Sequence, residues 1–138
     1  MASNQQKQPL TDAQTLMSQC DTIIDATLSF LEAEKQKVYK NINVKSLEND
    51  LVTQKILFGF CKTAYEERRA GSRNSNEDNV LKMLEPVKVS LKKVQGELRA
   101  LLQTDEDGAL EEAEEKTEVA FDELAGSVEK LRDILPSP

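Results

Sequence analysis

Four stretches of this chain repeat apolar residues every three or four positions, and that spacing constrains the fold more than any other feature. Residues so spaced share one face of an α-helix, and a helix with one apolar face must bury it. The first stretch runs from about Asp12 to Lys40, with Leu16, Cys20, Ile23, Ile24, Thr27, Leu28, Leu31 and Val38 on its stripe. Thr11 followed by Gln14 has the form of a capping box, in which the hydroxyl accepts from an orphan amide and the glutamine reaches back. The second stretch runs from Leu47 to about Arg69, with Ser46 as the expected cap and Leu47, Leu51, Phe58, Cys61 and Tyr65 on its stripe. Ile56 and Phe60 widen that stripe, which predicts burial on more than one side. Gly71 is placed to stop this helix, because glycine accepts the left-handed conformation past a helix end.

The third stretch, Glu77–Gln103, carries Leu81, Leu84, Val87, Leu91, Val94, Leu98, Leu101 and Leu102. Pro86 falls inside it and cannot donate to the carbonyl of Lys82. The apolar spacing passes through Pro86 without a phase shift, which favours a kink in one helix over a new helix start. The fourth, Asp105–Leu135, carries Leu110, Ala113, Thr117, Ala120, Leu124, Ser127, Leu131 and Ile134, and Pro136 ends it.

A chain of 138 residues holds one core and not two. Few aromatics, no tryptophan and only five glycines speak against a β-sandwich or barrel. The expected fold is therefore all-α, an antiparallel up-down-up-down four-helix bundle over residues 11–135, with disordered tails at 1–10 and 136–138. Short connections predict that consecutive helices are neighbours. Leu28, Phe58, Leu91 and Leu131 are the expected fully buried positions.

Charge is unevenly spread. Residues 105–135 hold 12 acidic and 3 basic side chains, whereas residues 1–104 are close to balance with 13 and 15. Folding the last two helices back at the TDEDG turn sets Arg99 near Glu112, Lys92 and Lys93 near Glu118, Lys88 near Asp122 and Glu123, and Lys82 near Glu129. Most of the acid excess would then specify a helical hairpin. Asp105, Glu106, Asp107, Glu111, Glu114 and Glu115 outnumber the bases within reach, and these six form the candidate docking surface for a basic partner. The seam beside them is thin, since Ala113, Thr117 and Ala120 are small.

Several chemistries are excluded or weakened. The chain has no histidine, which removes Ser-His and Cys-His nucleophile pairs and the commonest general base. No Gly-rich phosphate loop occurs. An enzyme is not expected, and no metal or cofactor is called for. Residues 103–114 match a calcium loop at its third, fifth, sixth and twelfth positions, but Gln103 stands where the leading carboxylate belongs. Residues 74–85 match loosely, with Asn79 where glycine belongs. Cys20 and Cys61 fall on apolar stripes at similar heights, as buried free thiols or, less in keeping with their setting, a redox pair.

Ser90–Leu102, SLKKVQGELRALL, resembles the last helix of chaperone-binding BAG domains over about a tenth of the chain. A full acidic helix follows where that fold would end, and nothing is carried over from it. The expectation is a non-enzymatic protein-interaction module, adaptor or assembly subunit, that takes a partner with a basic surface and leaves self-association open. The alternatives are an amphipathic bundle opening onto lipid, which acidic faces oppose, or a weak calcium-binding helical protein. Net charge of −7 opposes nucleic-acid binding. The N-terminus lacks the apolar core of a signal peptide, so a cytoplasmic or nuclear setting is expected.

Overall fold

The computed structural model describes residues 10–70, 77–104 and 107–135, and 88% of these are helical, with no strand among them. The helices are α1 (Asp12–Glu34), α2 (Val44–Ala70), α3 (Glu77–Gln103) and α4 (Asp107–Asp133). The expected tails (Leu10 apart), the stop at Gly71, and Asp105 and Glu106 lie outside the described residues. At ~1.5 Å rise per residue, the helices are about 35–40 Å long.

Local chemistry explains where the helices begin and end. Thr11 Oγ1 accepts from the Gln14 amide at 3.0 Å, and Gln14 Oε1 accepts from the Thr11 amide at 2.9 Å, so the capping box is formed. The start of α2 is earlier than expected. Asn43, not Ser46, caps it, with Oδ1 accepting from the Ser46 amide at 3.1 Å. This brings Val44 into the core. The end of α1 is also earlier than expected, at Glu34 instead of about Lys40. The Tyr39 hydroxyl donates to the Glu34 carboxylate, and Lys37 Nζ lies 3.1 Å from the same group. Positions five apart on a helix point in different directions, so this contact requires the chain to leave the helix. The hydrogen bond from Tyr39, then that from Lys37, holds the Glu34 carboxyl below its ordinary pKa. Val38 consequently sits outside the core, 95% exposed.

Helix directions alternate up, down, up, down. The neighbour relations are less regular than the sequence suggested. α1 packs on α2 and α3, and α4 packs on α2 and α3, while among the described residues α1–α4 and α2–α3 do not pack along their lengths, although Tyr65 at the end of α2 reaches Glu77 at the start of α3. The bundle is two antiparallel hairpins laid face to face. α1 lies parallel to α3, where Lys88 reaches Gln19 and Gln95 reaches Thr27, and α2 lies parallel to α4. The α3–α4 contact is the most extensive.

The core holds Leu16, Ile24 and Leu31 of α1, Leu51, Phe58 and Tyr65 of α2, Leu84, Leu91 and Leu98 of α3, and Leu124 and Leu131 of α4. Three of the four positions expected to be fully buried are so, namely Phe58, Leu91 and Leu131. Leu28 is only half-buried, because it faces the outer edge of the α1–α2 seam beside Val52. Ile56 and Phe60 are exposed, at 53% and 60%, so the widened stripe does not mean burial on a second side. Among the described residues α2 packs along its length only on α1 and α4. Pro86 lies inside one continuous α3 on its exposed face, where water can serve the carbonyl that the proline leaves unbonded.

The α3–α4 register also differs from expectation. Lys93 Nζ is 3.0 Å from Glu123 Oε1, five residues beyond the anticipated Glu118. Ser90 Oγ lies 3.4 Å from Ser127 Oγ, and Thr117 Oγ1 lies 3.5 Å from the Glu97 carbonyl, in the same alignment. Lys88 instead donates to Gln19 at 2.8 Å, and Arg99 stacks 5.3 Å from the Phe30 ring centre. Burying a Leu or Val side chain yields ~1.5–3 kcal/mol, whereas an exposed ion pair yields ~0–1 kcal/mol. Leu91, Val94 and Leu98 against Ala120 and Leu124 therefore set the register, and charge follows. The zipper of charges runs along α1–α2 instead, through Lys62–Asp21, Lys55–Asp25 at 3.1 Å and Lys35–Glu48 at 3.0 Å.

Candidate functional site

The acids of α4 have little to pair with. Lys93–Glu123 is the one ion pair between α3 and α4 among the described residues. Glu114, Glu118 and Asp122, four residues apart, form a row along the side of α4 that faces α2. Asp50 of α2 completes this group, and the four carboxylates rim a cleft of about 570 Å³ with no lysine or arginine in its lining. Leu47 of α2, Phe121 of α4, Leu101 of α3 and Ile42 from the α1–α2 connection give the cleft an apolar lining. Leu47, Phe121 and Ile42 are each half-buried, so part of this surface is open to an incoming group.

The cleft exists because α4 is narrow at this height. Its inward positions here are Ala113, Thr117 and Ala120, with Ala125 in the cleft wall, and these leave the gap to α2 unfilled. Thr117 turns its hydroxyl back to the Ala113 carbonyl at 2.8 Å. Where Leu124, Val128 and Leu131 follow, the two helices close up, with Cys61 Sγ 3.9 Å from the Val128 carbonyl and Arg68 Nη1 3.2 Å from that of Ile134. Gln54 Oε1, a buried side-chain atom on the cleft wall, has no hydrogen-bond partner among the described residues. The Gln54 side-chain amide gives the cleft wall one polar group that can hydrogen-bond.

The six residues anticipated as a docking surface are divided by the fold. Glu114 joins the cleft. Glu111 and Glu115 face a different groove, shared with Glu112, Glu97, Lys93 and Lys116, where lysines offset part of the charge. Asp107 begins α4, but its side chain, like all of Asp105 and Glu106, lies outside the described residues. Asp50, Gln54, Glu118 and Asp122 were missed as a group. The four-residue spacing of Glu114, Glu118 and Asp122 is visible in the sequence, but the expected hairpin register sets Glu118 and Asp122 against lysines of α3. Asp50 could be added only by knowing that α2 packs beside α4.

No protein-family model, curated protein or solved structure matches this chain. Residues 107–114 and 77–85 are continuous helix, so neither calcium-loop match has the turn that an EF-hand needs. Among the described residues no group of three or more Cys, Asp or Glu is arranged to hold a metal ion, and no helix is long and apolar enough to cross a membrane. Cys20 and Cys61 are buried free thiols. Burial, followed by the nearby Asp21 carboxylate, pushes the Cys20 thiol up to about 12, and burial pushes Cys61 up to about 11. Thiolates form with difficulty at either position, which makes both poor nucleophiles.

Proposed function

We propose that the protein is a non-enzymatic interaction module whose α2–α4 cleft takes a segment of a partner protein bearing lysine or arginine beside apolar side chains. One observation carries this reading. Asp50, Glu114, Glu118 and Asp122 surround an apolar surface, and no basic side chain lines the cleft with them. Apolar groups entering the cleft would gain by leaving water, while the rim selects for positive charge and speeds encounter. The Gln54 amide on the cleft wall adds a polar group that can hydrogen-bond an occupant. The same carboxylates repel phosphate, so nucleic acid and anionic lipid are poor occupants.

The test is the binding of a labelled helical peptide with leucines on one face and lysines flanking them, followed by anisotropy. The lysine peptide should bind in a salt-sensitive way, and a version with glutamates in place of lysines should not. Changing Glu114→Gln, Glu118→Gln and Asp122→Asn together should weaken binding by about tenfold or more, which is ~1.4 kcal/mol. Glu111→Gln with Glu115→Gln, on the other groove, should leave it nearly unchanged. Equal losses from the two sets would remove the cleft from consideration.

A further inference from the structure

Among the described residues no helix packs on the outer face of α2, yet that face carries Ile56 and Phe60, with Val52 at its edge beside the α1–α2 seam, and the three are 53%, 60% and 37% exposed. They stand four residues apart, a ridge about 12 Å long at ~1.5 Å per residue. Asn49 and Thr63, both exposed, prolong it in steps of three, so the face reads Asn49, Val52, Ile56, Phe60, Thr63. Spacing of this kind lets two helices pack side by side at a shallow angle. Single exposed apolar residues need no explanation, but three large ones in a line mark an interaction surface.

We propose that this face binds the same face of a second copy of the chain, with the two α2 helices antiparallel about a two-fold axis at Ile56. The charges at the ends of the face select this occupant. Lys45 lies eleven residues before Ile56 and Glu67 eleven residues after it, and both are exposed. Antiparallel pairing sets each Lys45 against Glu67 of the other copy, whereas parallel pairing sets like against like. Size is self-complementary as well. Val52, four residues before the axis, meets Phe60, four residues after it, and Ile56 meets Ile56.

The location favours self-association too. The chain carries a net charge of −7, with its acid excess concentrated in α4, so the α4 side would repel a second copy. The flanks of the α2 ridge are mixed in sign, with Lys45, Lys55 and Lys62 against Glu48, Glu66 and Glu67. One helix from each copy buries less than the roughly 1,200–2,000 Å² of a standard stable interface. The dimer is therefore weak, with Kd on the order of 10–100 μM.

Sedimentation equilibrium from low micromolar to millimolar chain tests this. The wild-type mass should rise from 15.5 kDa toward twice that value. Ile56→Asp, at an exposed position, should stay monomeric with unchanged helical circular dichroism. Lys45→Glu and Glu67→Lys should each weaken self-association by about tenfold. Mixing those two variants should restore it as a heterodimer, because each contact then pairs opposite charges. A wild type that stays monomeric throughout, even if the ridge captures some other protein, overturns the proposal. So does an Ile56→Asp variant with wild-type association. Failure of the mixed variants to recover overturns the antiparallel pairing and, with it, the assignment of this occupant.

Discussion

The Tyr65 hydroxyl lies 2.8 Å from Thr11 Oγ1 and donates to the Glu77 carboxylate, so one phenol at the end of α2 holds the starts of α1 and α3. The bonds run in one sense. The Gln14 amide donates to Thr11, Thr11 to Tyr65, and Tyr65 to Glu77. Tyr65 is fully buried and its pKa is pushed up to about 12, first by burial and then by the bond to Glu77. Tyr65→Phe should cost ~1–3 kcal/mol in urea unfolding, because it removes the hydrogen bonds to Thr11 and to the charged Glu77 without opening a cavity. Thr11→Val should cost a similar amount, since it also removes the cap. The double change should cost less than the sum. Strict additivity would mean that the chain of bonds is not a unit.

Burial separates two positions that the sequence ranks alike. Phe58 is 1% exposed and central, so Phe58→Ala should cost ~3–5 kcal/mol through lost transfer energy and the cavity left behind. Leu28 is only half-buried at the edge of the α1–α2 seam, and Leu28→Ala should cost no more than ~1–2 kcal/mol. Chemical denaturation of the two variants checks the ranking. Equal losses would put Leu28 back in the core.

Periodicity made the four helices visible because it is a local property, and the span of α3 could be read to the residue. What failed was non-local. Exposed charges suggest a different α3–α4 register, but they are weaker than the buried Leu and Val contacts that set it. The spacing of Phe60 fits an apolar stripe, but only the arrangement of neighbours shows that this side of α2 faces outward. The cleft was half legible for the same reason. Small residues and acids along α4 announced it, while Asp50 and Gln54 come from a helix the sequence could not place beside them.

The buried thiols give stability a definite alkaline dependence. Both thiols titrate at about 9 when unfolded and only at about 12 and 11 when folded. Below pH 9 both states keep the protons and the thiols contribute no slope. Above pH 9 the unfolded chain releases them first, so stability should fall as pH rises toward 11–12. Cys20→Ala should flatten that fall whatever it costs at neutral pH. At pH 8 neither thiol should react with an aromatic disulfide reagent faster than the protein unfolds. Rapid labelling of the native protein would contradict this burial.

The row Glu114, Glu118 and Asp122 makes a claim about stability that is independent of any partner. These carboxylates are exposed, and each stands one turn from the next. Like charges so placed on a helix repel by ~0.2–0.5 kcal/mol per pair, and Asp50 adds to the repulsion across the cleft. Changing Glu114→Gln, Glu118→Gln and Asp122→Asn together should therefore raise stability by ~0.5–1 kcal/mol at low salt. The gain should shrink near 1 M salt, where the screening length falls to ~3 Å. Glu123→Gln, one residue beyond the row, removes the partner of Lys93 and should have the opposite sign, a loss of ~0–1 kcal/mol. Thermal melts of both at two salt concentrations decide the matter. If the triple change lowered stability as Glu123→Gln does, the row would be part of the scaffold, and a surface kept acidic at a cost in stability would have no support.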